Sequence, residues 1–360
     1  MSRFHQSFFI VSVASIVIVF LCAGCDLFSP YSIDSSSMRA VLRFAPPLYF
    51  PQGYDSTDCN SPAHWDGDTL FIFNSFRDVR RSKGPSLFRF GKVITSSYDN
   101  EVNGGRWIES TWKDGELYAW YHNEPGGICP ESDLTAPRIG AAVSYDNGRT
   151  FTDLGFIIEA RDTMNCEALN GFDAGGNGDF SVLPDSAREY FYFFFSVFAG
   201  DVSEQGVAVA RMKYEDRADP LGKVWKWYDG KWDEPGLHGK ATPVFPAMVD
   251  WAQADADAFW GPAIHWNTHL NRYVMLLNRA KGPPGFYQEG IYVANNPDIG
   301  DPRGWTEPVR IFRAGDWYPQ VVGIDSTKHE TDKLAGRVAR FFMHGYSEWE
   351  MVFLNPDEEP

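Results

Sequence analysis

Residues 178–196 read GDFSVLPDSAREYFYFFFS: a short apolar stretch, a polar turn, and an aromatic run that suits one buried strand. The same plan recurs along the chain. It returns as NSPAHWDGDTLFIFNS at 60–75, WIESTWKDGELYAWYH at 107–122, FWGPAIHWNTHLNRYVMLLN at 259–278 and, with a longer turn, from Tyr318 to Gly345. The spacing is roughly 50 to 70 residues, the size of a propeller blade or slightly larger. Asp66-Gly67 and Asp114-Gly115 supply the positive φ that tight hairpin turns need, so each unit opens with two antiparallel strands.

A second hairpin follows in most units. Residues 139–158 (IGAAVSYDNGRTFTDLGFII) place an Asn147-Gly148 turn between two strands, and residues 290–312 repeat the arrangement. Ser144 to Phe151 (SYDNGRTF) resembles an Asp box, in which aspartate and threonine side chains pin a turn, a structural role. Five units of four strands predict an all-β fold, a five-bladed β-propeller of four-stranded blades. A β-sandwich is the alternative, but sandwiches do not repeat a four-strand module.

The N-terminus carries a different message. Arg3 precedes an apolar run from Phe8 to Leu21, which is short for a membrane span and matches the h-region of a signal peptide. It ends in Leu21-Cys22-Ala23-Gly24-Cys25, which resembles a bacterial lipobox with Cys25 as the lipidated residue. The resemblance implies cleavage before Cys25, palmitate-type acylation, membrane attachment through that lipid, and an extracytoplasmic place in the bacterial cell envelope. That place could be the periplasmic face of the inner membrane, the outer membrane or the cell surface. Asp26 resembles an inner-membrane retention signal. Residues 1–24 are therefore read as signal peptide, 25–40 as tether and 41–360 as the propeller.

Cleavage would leave 336 residues and move the net charge from −16 to −17, which excludes nucleic acid as a partner because phosphates require a cationic face. Cys59, Cys129 and Cys166 allow at most one disulfide and show no zinc-binding spacing. Neither an EF-hand nor an aspartate-rich run is present, so no metal or cofactor is expected.

In a propeller the first strand of each blade lines the axis, so Asp58, Glu109, Asp179, Trp260 and Tyr318 should converge. Glycosidic cleavage needs one carboxyl as acid and another as base or nucleophile, which makes Asp58, Glu109 and Asp179 the catalytic candidates. His64, Trp107, Arg138, Trp260, His265, Trp317 and Tyr318 are the candidates for stacking on sugar rings or binding hydroxyls. Glu109 lies between Trp107 and Trp112, where an apolar wall would hold its proton.

On these residues the chain resembles the five-bladed family 43 glycoside hydrolases, over about residues 55 to 355. Asp179-Phe-Ser-Val looks like the family's third-blade Asp-Pro-Ser-Val, whose aspartate tunes and orients the acid. Asp58 falls near the place of the first-blade base. Trp260-Gly261-Pro262 resembles the fourth-blade Glu-Gly-Pro, with tryptophan in the acid's slot. The resemblance implies a carbohydrate substrate, of pentose or fructose type, and in some members an axial calcium ion. The departure at Trp260 either moves the acid elsewhere, to Glu109 or Asp257, or makes the protein a non-catalytic glycan-binding scaffold. A six-bladed sialidase is a weaker third reading, because no arginine triad can be assigned.

Overall fold

The computed structural model describes residues 32–34, 38–50, 57–76, 78–161 and 164–358. The signal peptide and lipobox, with Cys25, fall outside these residues. Tyr31–Pro360 forms a compact unit of its own.

Five sheets make five blades, antiparallel within the main strands of each, with the short strands Ser97–Tyr98 and Leu334–Ala335 pairing parallel at the edges of two of them. Blade 1 runs Ala63–Asp66, Thr69–Phe76, Asp78–Gly84 and Ile94–Thr95. Blade 2 runs Gly105–Asp114, Glu116–Glu124, Arg138–Ser144 and Thr150–Ile158. Blade 3 runs Asn177–Pro184, Tyr190–Val197, Gly206–Lys213 and Val224–Tyr228, with Lys231–Pro235 added outside. Blade 4 runs Asp257–Asn267, Arg272–Lys281, Gln288–Asn296 and Val309–Arg313. Blade 5 takes Gln320–Gly323, Val338–Met343 and Tyr346–Leu354 from the C-terminus, then Arg39–Tyr49 from the N-terminus as its fourth strand.

That last pairing changes the expected boundaries. Arg39 pairs with Leu354 and Tyr49 with Tyr346, so the strand closes the ring, and Ser32–Asp34 pairs onto its outer edge. Residues assigned to the tether thus include a five-strand sheet's outermost strand and the start of the closing strand. Alternation explains the docking: Met38, Ala40 and Leu42 enter the core between blades 4 and 5.

Each interface between neighbouring blades holds its own apolar cluster. The largest joins blades 2 and 3, where Trp120 and Ile139 meet Phe180, Phe191, Phe193 and Phe195. Further clusters join blades 3 and 4, 4 and 5, 5 and 1, and 1 and 2. Burying a side chain of this size contributes about 1.5–3 kcal/mol, so the aromatic runs of the second strands provide the stabilisation that packs the blades radially.

The innermost strands have a ladder partner on one side only, except where Leu334–Ala335 pairs with the end of Asp257–Asn267, and their remaining backbone groups must be satisfied otherwise. Polar side chains from neighbouring blades do this. Asn60 Nδ2 donates to the carbonyls of Phe180 at 3.1 Å and Pro262 at 3.0 Å, tying blade 1 to blades 3 and 4 across the axis. Ser110 Oγ accepts from Val182 N–H and Ser181 Oγ from Ile264 N–H. The Asp box forms as expected: Asp146 accepts from the amides of Arg149 and Thr150 and from the Thr150 hydroxyl.

Candidate active site

The first strands all run along the axis in one direction, so their early residues gather at one mouth. A cavity of about 360 Å³ opens there, walled by Asp179, Trp260, Trp317 and Tyr318 together with His122, Glu124, Asp173 and Phe286. Trp260 forms its floor; it is buried edge-to-face against Phe286, Trp317 and Tyr318, with ring centroids 5.1 to 5.8 Å apart.

His122 organises the polar side. It lies near the end of Glu116–Glu124, and Asp179 N–H donates to its Nδ1 at 3.0 Å while Nε2 faces Glu124 Oε1 at 3.0 Å. Gly178 permits this approach, because a Cβ there would come 2.6 Å from His122 Cε1. Asp179 itself holds φ at 39°, a left-handed conformation uncommon outside glycine and asparagine. Glu109 lies beneath this layer, with a side chain only 1% exposed. Its Oε2 accepts from Phe180 N–H at 2.6 Å, and its Oε1 sits 3.4 Å from His122 Nδ1.

Burial governs the titration of the cluster. It pushes Asp179 well above the ordinary carboxylate range against the pull of His122, and pushes Asp173 well above it with help from Glu124 and Asp179. Burial likewise raises Glu109. Asp58 rises to about 6 through burial, then the charge of Glu124. Burial acts to lower the His122 pKa and the neighbouring carboxylates Glu109 and Glu124 act to raise it, while the Asp179 amide proton on Nδ1 leaves the ring's own proton on Nε2, facing Glu124. Glu124 is drawn below its usual value by His122 despite burial. One mouth therefore holds carboxyl groups pushed toward the protonated form beside one drawn toward the ionised form, the condition for paired acid and base chemistry.

Glu109, His122 and Asp179 each offer one atom within 4.8 Å of the others. The set does not suit calcium, which takes six to eight oxygen ligands, since it supplies two carboxylates and a nitrogen already accepting an amide proton.

Of the residues singled out in the sequence, Asp179, Trp260, Trp317 and Tyr318 line this cavity, and Asp58 lies within range of its charges. Glu109 instead lines a small internal void deeper on the axis, beside His265. His265 is buried, and burial lowers its pKa to about 3, so it stays neutral there. His64 is buried at the opposite end of the axis, stacked on Phe71, with a pKa also lowered to about 3 by burial. Trp107 packs its edge against His122, behind the cavity wall. Arg138 faces a separate cleft, where it pairs with Glu159 at 3.2 Å and covers the Phe156 ring. Asp257 is held by Arg279 and Lys281, at 2.9 and 3.1 Å.

Sequence reasoning missed His122, Glu124 and Asp173. The first two end the second strand of blade 2, where polar HNE closes the apolar ELYAWY; Asp173 follows Gly171-Phe172 in a long connection. That connection is fastened by a disulfide between Cys129 and Cys166, which leaves Cys59 as a buried thiol.

No family model matches the chain, and no curated protein matches it. Distant likeness extends to solved glycoside hydrolases. A thermostable family-43 glycoside hydrolase is 10% identical, with 85% of this chain and 98% of that one covered and a TM-score of 0.48. An exo-1,5-α-L-arabinanase from a bovine ruminal metagenomic library is 11% identical, covering 84% and 94%, with a TM-score of 0.47. The exo-β-1,3-galactanase of Phanerochaete chrysosporium, solved with β-1,3-galactotriose, is 12% identical, covering 88% of this chain and 64% of its own, with a TM-score of 0.47.

Proposed function

We propose that this protein is an extracytoplasmic, lipid-anchored glycoside hydrolase that acts on a polysaccharide or oligosaccharide at the acidic axial mouth. The observation that carries the reading is the gathering of Asp58, Asp173 and Asp179, all with raised pKa values, beside the aromatic wall of Trp260, Phe286, Trp317 and Tyr318. Aromatic faces suit sugar rings, and the carboxyl groups suit proton transfer at a glycosidic oxygen.

In this reading Asp179, kept protonated by burial, gives its proton to the leaving oxygen as the bond to the anomeric carbon breaks. Asp58, ionised above about pH 6, takes a proton from the water that attacks that carbon. Glu109 acts from beneath, by fixing the Phe180 amide next to Asp179, and is a positioning residue. Asp179-Phe-Ser-Val and the place of Asp58 ahead of blade 1 favour the pentose- or fructose-type specificity of the family they resemble. Export and acylation at Cys25 are supported by the lipobox-like sequence and by a disulfide, a bond that persists in oxidising compartments.

The second reading, a glycan-binding scaffold, is favoured by Trp260 in the slot of the family's acid. The two separate on one experiment. Tyr31–Pro360, assayed on a glycan panel, should release sugar from at least one member, and Asp58→Asn and Asp179→Asn should each abolish release while retaining binding. Binding without release by the unaltered chain selects the scaffold.

A further inference from the structure

The opposite end of the axis holds a larger cavity, of about 540 Å³, and it differs in charge from the mouth described above. The first strands end there, so all five blades contribute to its lining. Trp65, Trp112 and Trp266 come from blades 1, 2 and 4, each partly exposed at the rim. The aromatic floor is reinforced by His329 stacked on Trp65, with ring centroids 5.0 Å apart, and by Tyr273 against Trp266 at 4.7 Å.

Among the charged residues that line this cavity, Lys113, Arg188, Lys328 and Lys333 stand against Asp185 alone. This is unexpected in a chain with 48 acidic and 32 basic residues. Lys328 and Lys333 are neutralised by Asp325 at 3.2 Å and Asp332 at 2.9 Å. Asp185 is committed to its own turn, accepting from the amides of Glu189 and Tyr190. Lys113 and Arg188 have no ion-pair partner among the described residues. Lys113 bonds only the Gly115 carbonyl, and the Arg188 guanidinium lies 5.8 Å from the centre of the Trp112 ring. The Lys113 charge also bears on His64 at the cavity wall, helping burial keep that ring neutral.

We infer that this cavity is a second carbohydrate site, selective for an anionic saccharide whose ring carboxylates meet Lys113 and Arg188 while its ring faces lie on the tryptophans. Its volume falls within the range of about 300–1,000 Å³ of ligand clefts. Unpaired cations beside indole rings favour a ligand that is planar-faced and negatively charged over a simple ion or a neutral sugar. The mouth at the other end is lined by Glu124 and Asp133 and by no lysine or arginine, so it offers the same ligand no such cations, and the axis separates the two sites electrostatically.

The test uses Tyr31–Pro360, which forms its own compact unit, and an oligomer of four α-1,4-linked galacturonate residues, read by calorimetry and by tryptophan fluorescence. The acid oligomer should bind, and its fully methyl-esterified form should bind about tenfold or more weakly. Lys113→Ala/Arg188→Ala, two partly or fully exposed positions where folding is not at risk, should weaken binding by a similar factor. Asp58→Asn should leave it unchanged, which separates this site from the proposed hydrolytic one. Equal binding of the ester, unchanged binding by the double variant, or no binding of the acid oligomer at millimolar concentration would each overturn the inference.

Discussion

Glu109 Oε2 accepts the backbone N–H of Phe180 at 2.6 Å, a bond between residues 71 positions apart that joins blade 2 to blade 3 directly beneath the acidic cavity. Because the bond is buried, the amide has no water to turn to when the acceptor is removed. Glu109→Leu should therefore lose about 1–3 kcal/mol of stability in denaturant titration. Glu109→Gln keeps an acceptor oxygen and should lose less. Equal losses in the two variants would show that the bond contributes little.

Asp58 connects stability to pH. Its pKa in the folded chain is raised from 3.8 to about 6, so its contribution favours the native state at low pH and is lost as pH rises through about 6. Asp58→Asn removes that dependence. The melting temperature of the variant minus that of the unaltered chain should increase between about pH 4 and pH 7. A difference independent of pH would contradict the assignment.

Cys129 and Cys166 close a loop with a sequence separation of 37, and the two connections they join carry the cavity residues Asp133, Phe172 and Asp173. Loop entropy alone gives about 4 kcal/mol for a bridge of that length. Cys129→Ser/Cys166→Ser should lower the melting temperature and, by loosening one cavity wall, weaken ligand binding at the acidic mouth. A variant with unchanged affinity would uncouple the bridge from the site.

The closing strand should be indispensable. Removing residues 1–50 takes Arg39–Tyr49 from blade 5 and exposes the edge of Tyr346–Leu354 along with the apolar partners of Ala40 and Leu42. The truncated chain should aggregate or unfold without a cooperative transition, whereas Tyr31–Pro360 should unfold cooperatively. Cooperative unfolding of the truncated chain would show that a three-stranded fifth blade suffices.

The sequence carried the blades through local chemistry. Asp66-Gly67, Asp114-Gly115 and Asn147-Gly148 set hairpins whose strands are neighbours in the chain, and the aromatic runs mark the strands that pack between blades. Arg39–Tyr49 escaped notice because its partner lies some three hundred residues away and its sequence continues from a polar segment. Membership of a first strand identified the axial residues, but not their depth. Asp179 and Tyr318 reach the open mouth, Glu109 and His265 stop inside, and His64 emerges at the other end. Depth depends on how far each strand slides along the axis, and bulges such as that between Ile108 and Ser110 alter it locally. His122 and Glu124 come from a second strand, so a search confined to first strands could not reach them.

The dependence of kcat/KM on pH, measured on whichever glycan the chain cleaves, tests the pairing of Asp58 with Asp179 most directly. The rate should climb through an apparent pKa of about 6, and Asp58→Asn should remove that limb and slow turnover by about 10²–10⁴-fold. A flat profile from about pH 4 to 8, or an unshifted limb in Asp58→Asn, would contradict the role given to these two carboxyl groups.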